Sequence, residues 1–262
     1  MSLTRSLEGA RIAYKKRDVE ASIKAHQGGD DHEHHQVEGR YIKSFVYGGL
    51  DGLITTFAIV AGVAGASLSV GVIMILGLAN LIADGISMAV GDFLSSKAES
   101  EYKQTERKRE AWEVDNHPEG EKLELIELYQ EKGISQKDAK TIVNVISKYR
   151  EAWLDIMMLQ ELKIVDDEKS ATKNALVTFF SFLLFGSIPV LIYVFSKYLP
   201  FIADNTFLSA AIFTSITLFF LGSLKVRMTG KNWFMSGLEM LFVGGLAAGA
   251  AFMIGYLLSG LK

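Results

Sequence analysis

Apolar residues gather into five runs, at about 44–67, 71–95, 173–196, 206–225 and 233–259. Each is near the roughly 20 residues that an α-helix needs to cross a bilayer. The link between the first two, around AGASLSVG, is very short, which predicts an antiparallel hairpin. The second run does not stop at the end of its apolar stretch. GVIMILGLANLIADGISMAVGDFL passes without proline or helix-ending glycine into SSKAESEYKQTERKREAWEVD, so one long helix is expected over about 71–115. At about 100° per residue, Asn80, Asp84, Met88, Asp92, Glu99, Glu106, Glu110 and Glu113 share a sector of roughly 120° on that helix. An acid at the bilayer centre costs on the order of 2.5–3.5 kcal/mol on insertion scales and is rarely kept without a task.

About 75 polar residues separate the second run from the third, too many for a loop. They read as helices: the extension of the second span, a turn at Pro118 and Gly120, a short helix in GEKLELIELYQEKG ending at Gly133, a helix capped by Ser135, and a last one in REAWLDIMMLQELKIV. The expected fold is an all-α membrane protein of five transmembrane helices. A cytoplasmic helical metal-binding insertion lies between helices 2 and 3. The corresponding division is 1–43 as a polar N-terminal segment, 44–96 as helices 1 and 2, 97–172 as the insertion, and 173–262 as helices 3 to 5. Within the first segment, Leu3, Leu7, Ile12 and Tyr14 suit a short amphipathic helix lying on a surface, and a mobile tail suits the sequence equally. His32, His34 and His35 in DDHEHHQ suit a weak collector of transition metal better than a defined site.

Charge sets the expected orientation. Of the 27 Lys and Arg residues, 25 fall before the first span, between the second and third, or between the fourth and fifth; only Lys197 and Lys262 fall on the other side. The positive-inside rule then places the N-terminus and the insertion in the cytosol and the C-terminus outside or in a lumen. The chain has no cysteine, which excludes disulfides, thiolate zinc sites and Cys-ligated iron–sulfur clusters. The net charge of −3 carries no sign of nucleic-acid binding. The first 22 residues have no signal-peptide core, so the first span is expected to act as its own insertion signal.

Candidate chemistry lies on these elements. Asp51 stands inside the first span among Gly48, Gly49 and Gly52, with Thr55 one turn on. The Gly48 to Gly52 spacing suits close helix packing. A structural role would pair Asp51 with a neighbour such as Asn80. No Lys or Arg lies in the apolar part of any span, however, so no fixed cation is available to Asp51, Asp84 or Asp92. That favours cation or proton binding. Met88 adds a soft thioether, which shifts preference towards transition metals, although methionine is also common core filler. In the insertion, Glu121, Glu124 and Glu127 repeat at i, i+3 and i+6, and Glu161 follows Met157 and Met158 by one turn of Met157. With Glu110 and Glu113, three helices could converge their carboxylates on several cations. Bound metal would relieve the repulsion of like charges on one face.

GGLDGLITTFAIVAGVAGA, LIADGISMAVGDFLSSKAESEY, EAWLDIMMLQEL and SGLEMLFVGGLAAGAAFMIGYLLSG together resemble the vacuolar iron transporter family over about residues 40–262. The resemblance implies a homodimer with its ion path between subunits, exporting Fe2+, and often Mn2+ or other divalent metals, from the cytosol in exchange for protons. It implies that Asp51 and Met88 are intramembrane ligands. It also implies that Glu110, Glu113, Glu121, Glu124, Met157, Met158 and Glu161 are the cytoplasmic metal-binding set. One departure is Asn80, which stands where plant-type members carry glutamate, with Asp84 one turn further along.

The expected activity is therefore proton-coupled export of Fe2+, and of Mn2+, Co2+ or Zn2+, as substrates. The protein is expected to be no enzyme, to carry no organic cofactor, and to sit among membrane lipids in a prokaryotic plasma membrane rather than a vacuolar one. Glu239 in the fifth span is either an interfacial acid or a proton carrier. Gly245 and Gly249 read as packing glycines and Pro189 as a kink in the third span. The alternative is a membrane-anchored ferritin-like oxidase, storage module or sensor. Di-iron bundles use Glu-x-x-His pairs, and no histidine here lies three residues after a glutamate.

Overall fold

A computed structural model describes residues 7–27, 37–165, 170–226 and 232–261. His32, His34, His35 and Leu3 lie outside the described residues. Every described element is helical: α1 (Leu7–Lys16), α2 (Val19–Gln27), α3 (Val37–Gly65), α4 (Val70–Asn116), α5 (Pro118–Glu131), α6 (Gln136–Ile146), α7 (Arg150–Gln160), α8 (Ala171–Phe195), α9 (Pro200–Ala203), α10 (Thr206–Leu224) and α11 (Trp233–Leu258), closed by a 3-10 turn at Ser259–Leu261. Five of them, α3, α4, α8, α10 and α11, are long and apolar enough to cross a membrane. α3 starts some residues before the apolar run, because its polar first turns continue the same helix.

The chain forms two compact units. The first takes the described residues of Met1–Ile86 and Val177–Lys262. Here α3 ends at Gly65 and four residues lead into α4, so the expected hairpin is present. Phe57, Val60 and Val63 of α3 share a buried cluster with Ile73 of α4, Ile192 and Tyr193 of α8, and Ala210 of α10.

Glycine permits the closest approaches. A Cβ on Gly48 would stand 2.6 Å from the Thr178 carbonyl oxygen, and one on Gly52 would stand 2.5 Å from that of Phe182. Both obstacles are backbone of α8, which cannot turn aside. By contrast, nothing lies within 4 Å of a Cβ on Gly245 or Gly249. The reading of these two as packing glycines is therefore corrected: among the described residues no other helix packs on them, and only 11% of the apolar window of α11 is buried. Gly48→Ala and Gly52→Ala are expected to lose about 1–3 kcal/mol to overpacking. Gly245→Ala and Gly249→Ala should leave the thermal midpoint of the detergent-solubilised protein unchanged or slightly raised.

The second unit is Ser87–Leu176, comprising the later half of α4, the helices α5 to α7 and the first turn of α8. At 1.5 Å per residue a 47-residue helix runs roughly 70 Å, more than twice a bilayer's hydrocarbon thickness. α5 opens with Pro118 at its first position, where a missing N–H costs nothing, so Pro118 starts a helix instead of merely turning the chain. It stops at Gly133, whose φ of +87° suits glycine. The Ser135 hydroxyl accepts from the Asp138 N–H at 3.2 Å and caps α6 as expected. The core of the unit is Val114, Leu125, Val143, Trp153 and Met157. On its surface Arg150 of α7 holds Asp115 of α4 through two hydrogen bonds of 2.7 and 2.6 Å.

Candidate metal-handling sites

In the first unit Asp51 is half-buried on α3, close enough to Asp84 of α4 for the two charges to interact. Thr55 does not turn to the Asp51 carboxylate. Its hydroxyl donates back to the Asp51 main-chain carbonyl at 2.8 Å. Along α4, Asn80, Asp84, Met88 and Asp92 are each half-buried, whereas Ile82, Ile86, Val90 and Leu94 are at least 50% exposed. The helix is thus inside out, with its polar stripe covered and its apolar stripe bare, as suits lipid surroundings. The Asn80 amide nitrogen is buried without a hydrogen-bond partner. Within the second unit Asp92 accepts from the Ser96 hydroxyl at 3.4 Å, and Asn174 donates to the same hydroxyl oxygen at 3.2 Å. Sequence reasoning missed Asn174 and Ser96, which are polar residues of no special spacing. Glu239 of α11 is 60% exposed and 3.3 Å from the Lys225 ammonium just past α10, a partner that suits an acid at the end of a span.

The second unit brings the predicted glutamates together. Oxygens of Glu110, Glu113 and Glu121 lie within 4.8 Å of one another, as do those of Glu121, Glu124 and Glu161, so Glu121 links two trios drawn from α4, α5 and the end of α7. Glu127 belongs to neither. It is the third of the i, i+3 and i+6 series and is exposed. Glu110 has a side chain with no exposed surface: its carboxyl group meets that of Glu121, and among the described residues neither oxygen accepts from an N–H donor. One oxygen each of Glu121 and Glu161 is likewise buried and unpartnered. A buried polar atom left this way costs about 1–3 kcal/mol, more when charged.

The carboxylic acids answer by holding protons. Burial first, then contact with Glu121, pushes Glu110 up to about 8. Burial, then the charges of Glu110 and Glu124, pushes Glu161 up to about 7. Glu121 is raised too, chiefly by burial. Carboxyl groups gathered in this way have the chemistry to hold either protons or a cation. Met158 is buried near the C-terminus of α7, and Met157 is wholly buried in the core beside Leu125 and Trp153. Met157→Ala should therefore destabilise the unit by about 2–5 kcal/mol and Met157→Leu by less than about 1.5, read by chemical denaturation. The Leu variant then separates packing from ligation, because it keeps the volume and removes the sulfur.

Five membrane-length helices define a multi-pass helical membrane protein. A family model described as the VIT family matches residues 42–256. "Vacuolar iron transporter" of Toxoplasma gondii is 41% identical over 268 residues, covering 97% of this chain and 89% of that protein. The protein of the same name from Plasmodium berghei is 37% identical, covering 95% of each. "Vacuolar iron transporter 1" of Arabidopsis thaliana is 34% identical, covering 85% and 88%. The chain belongs to the VIT family, the vacuolar iron transporter family, whose names are those of transporters and not of enzymes.

Proposed function

We propose that this protein exports Fe2+ from the cytosol across its membrane in exchange for protons, and that it accepts Mn2+ and other divalent transition metals in the same sites. The observation that carries the reading is Glu110: a fully buried carboxylic acid set against Glu121, the residue at which two trios of glutamates meet. Iron enters the reading from relatives named for it. A soft ligand is what the family resemblance implies at Met157 and Met158 of α7, both of them buried.

In this mechanism the segment containing α5 to α7 faces the cytosol, as the Lys and Arg distribution favours. Glu110, Glu113, Glu121, Glu124 and Glu161 collect the ion there. Within the membrane Asp51 and Asp84, with Met88, Asp92 and Asn80 on the same stripe of α4, carry it across, and protons return through the same carboxylates. Competition between metal and proton for one oxygen is the simplest coupling. Two copies of the chain are expected to form the working unit, and the bare faces of α4 and α11 leave room for lipid or a second copy.

The test uses purified protein in proteoliposomes with Fe2+ or Mn2+ added outside and a pH dye inside, with both insertion orientations taken into account. Metal entry accompanied by proton exit supports the antiporter. Metal bound to the protein without any flux would replace it with a storage or sensing role.

A further inference from the structure

Arg109 places a permanent positive charge at the edge of the glutamate cluster. On one helix its guanidinium reaches three acids. Nε donates to Glu106 Oε2 at 3.0 Å, Nη1 donates to Glu113 Oε2, and Nη2 stands 3.6 Å from Glu110 Oε2. Glu110 and Glu113 are two members of the trio that meets at Glu121. The same two carboxylates are thus offered to a guanidinium and to a metal ion. Arg stays protonated at all working pH values, so it leaves only by moving, and at 40% exposure its side chain has solvent to move into.

We propose that Arg109 is an internal counter-cation of the cluster, which holds Glu113 and screens Glu110 until a divalent ion displaces it. The inference rests on the reading of the cluster as a metal site and deepens it. A dication and a guanidinium on shared oxygens repel each other at short range, so the arginine lowers metal affinity. A feeder benefits from that, because an ion held at chelator strength would not pass on. The plainer role, helix support from pairs at i−3 and i+4, predicts no gain in affinity when the arginine is removed.

The two are separated by titrating Mn2+ into the purified full-length protein in detergent micelles at pH 8, followed by calorimetry. Arg109→Gln is expected to bind roughly fivefold more tightly than wild type, the scale of a partly exposed ion pair. Arg109→Lys, which keeps the charge and loses the fork, should fall between them and serves if the glutamine variant folds poorly. In a Glu113→Gln background the gain from Arg109→Gln should shrink, which a general loosening of the helix would not produce. Equal or weaker binding in both arginine variants, with Glu110→Gln still impairing binding, overturns the role of Arg109 alone. Unchanged binding in Glu110→Gln overturns the metal site, and this inference with it.

Discussion

The affinity of the protein for Mn2+ is expected to fall at least about 100-fold between pH 8 and pH 6. Metal takes ionised carboxylates, so every proton held at the site must leave first. With Glu110 at about 8, that competition alone changes affinity by about 50-fold over the interval, and Glu161 at about 7 adds about tenfold. Most of the change falls below pH 7.5, and the curve flattens above 8. Glu161→Gln should bind more weakly at pH 8 and show a shallower slope by up to one proton per ion. The same protons act on folding. The native state binds more of them than the unfolded chain between the ordinary value of 4.5 and about 8, so the cluster's contribution to the stability of the metal-free protein declines as pH rises through that window. Added Mn2+ should reverse the decline at pH 8, because it favours the folded state that binds it. Calorimetry at half-unit pH steps checks the first statement and thermal unfolding with and without metal the second. An affinity constant to within threefold from pH 6 to 8 would remove the protonated cluster from the mechanism.

Much of the fold could be read from the chain because membrane helices advertise themselves by length, and because α4 contains nothing that would end a helix between Val70 and Asn116. The Ser135 cap and the stop at Gly133 were legible for a similar reason: each depends on chemistry local to a few residues. Hydropathy reports where lipid begins and not where a helix begins, so the polar start of α3 at Val37 lay outside its reach. The glycines show the limit most clearly. Gly48, Gly52, Gly245 and Gly249 look alike in sequence, but only the first two meet a neighbouring backbone. Which face of a helix finds a partner is decided by tertiary packing.

The site divides in the same way. Spacing put Glu110 and Glu113 on one helix and Glu121 and Glu124 on another, and the folded unit brings both pairs and Glu161 within reach of shared ions. Spacing alone did not show that Glu127 turns away, that Arg109 reaches into the same carboxylates, or that the Thr55 hydroxyl is committed to the backbone. Pattern identifies which residues can face one another. The neighbours that occupy their hydrogen bonds and charges come from segments distant in sequence or from rotamers that pattern does not encode.

Asp51→Asn is expected to reduce metal-driven proton flux in proteoliposomes to background, a loss of at least about 100-fold, while leaving Mn2+ binding to the glutamate cluster within about twofold of wild type. The substitution keeps the shape of the side chain and removes only the negative charge, so the close packing at Gly48 and Gly52 survives it. A half-buried carboxylate near a second one, Asp84, with no Lys or Arg in the apolar part of any span, lacks a fixed counter-ion. Such a pair is costly in lipid unless a proton or a metal ion visits it. Asn can bind neither as an anion, so both directions of exchange should fail together. Asp84→Asn leaves Asp51 in place and should give a partial loss. If metal flux persists in Asp51→Asn while proton flux disappears, the two ions do not share this carboxylate, and coupling must be sought elsewhere on the α4 stripe. If both persist, Asp51 is a packing residue and the path across the membrane does not pass it.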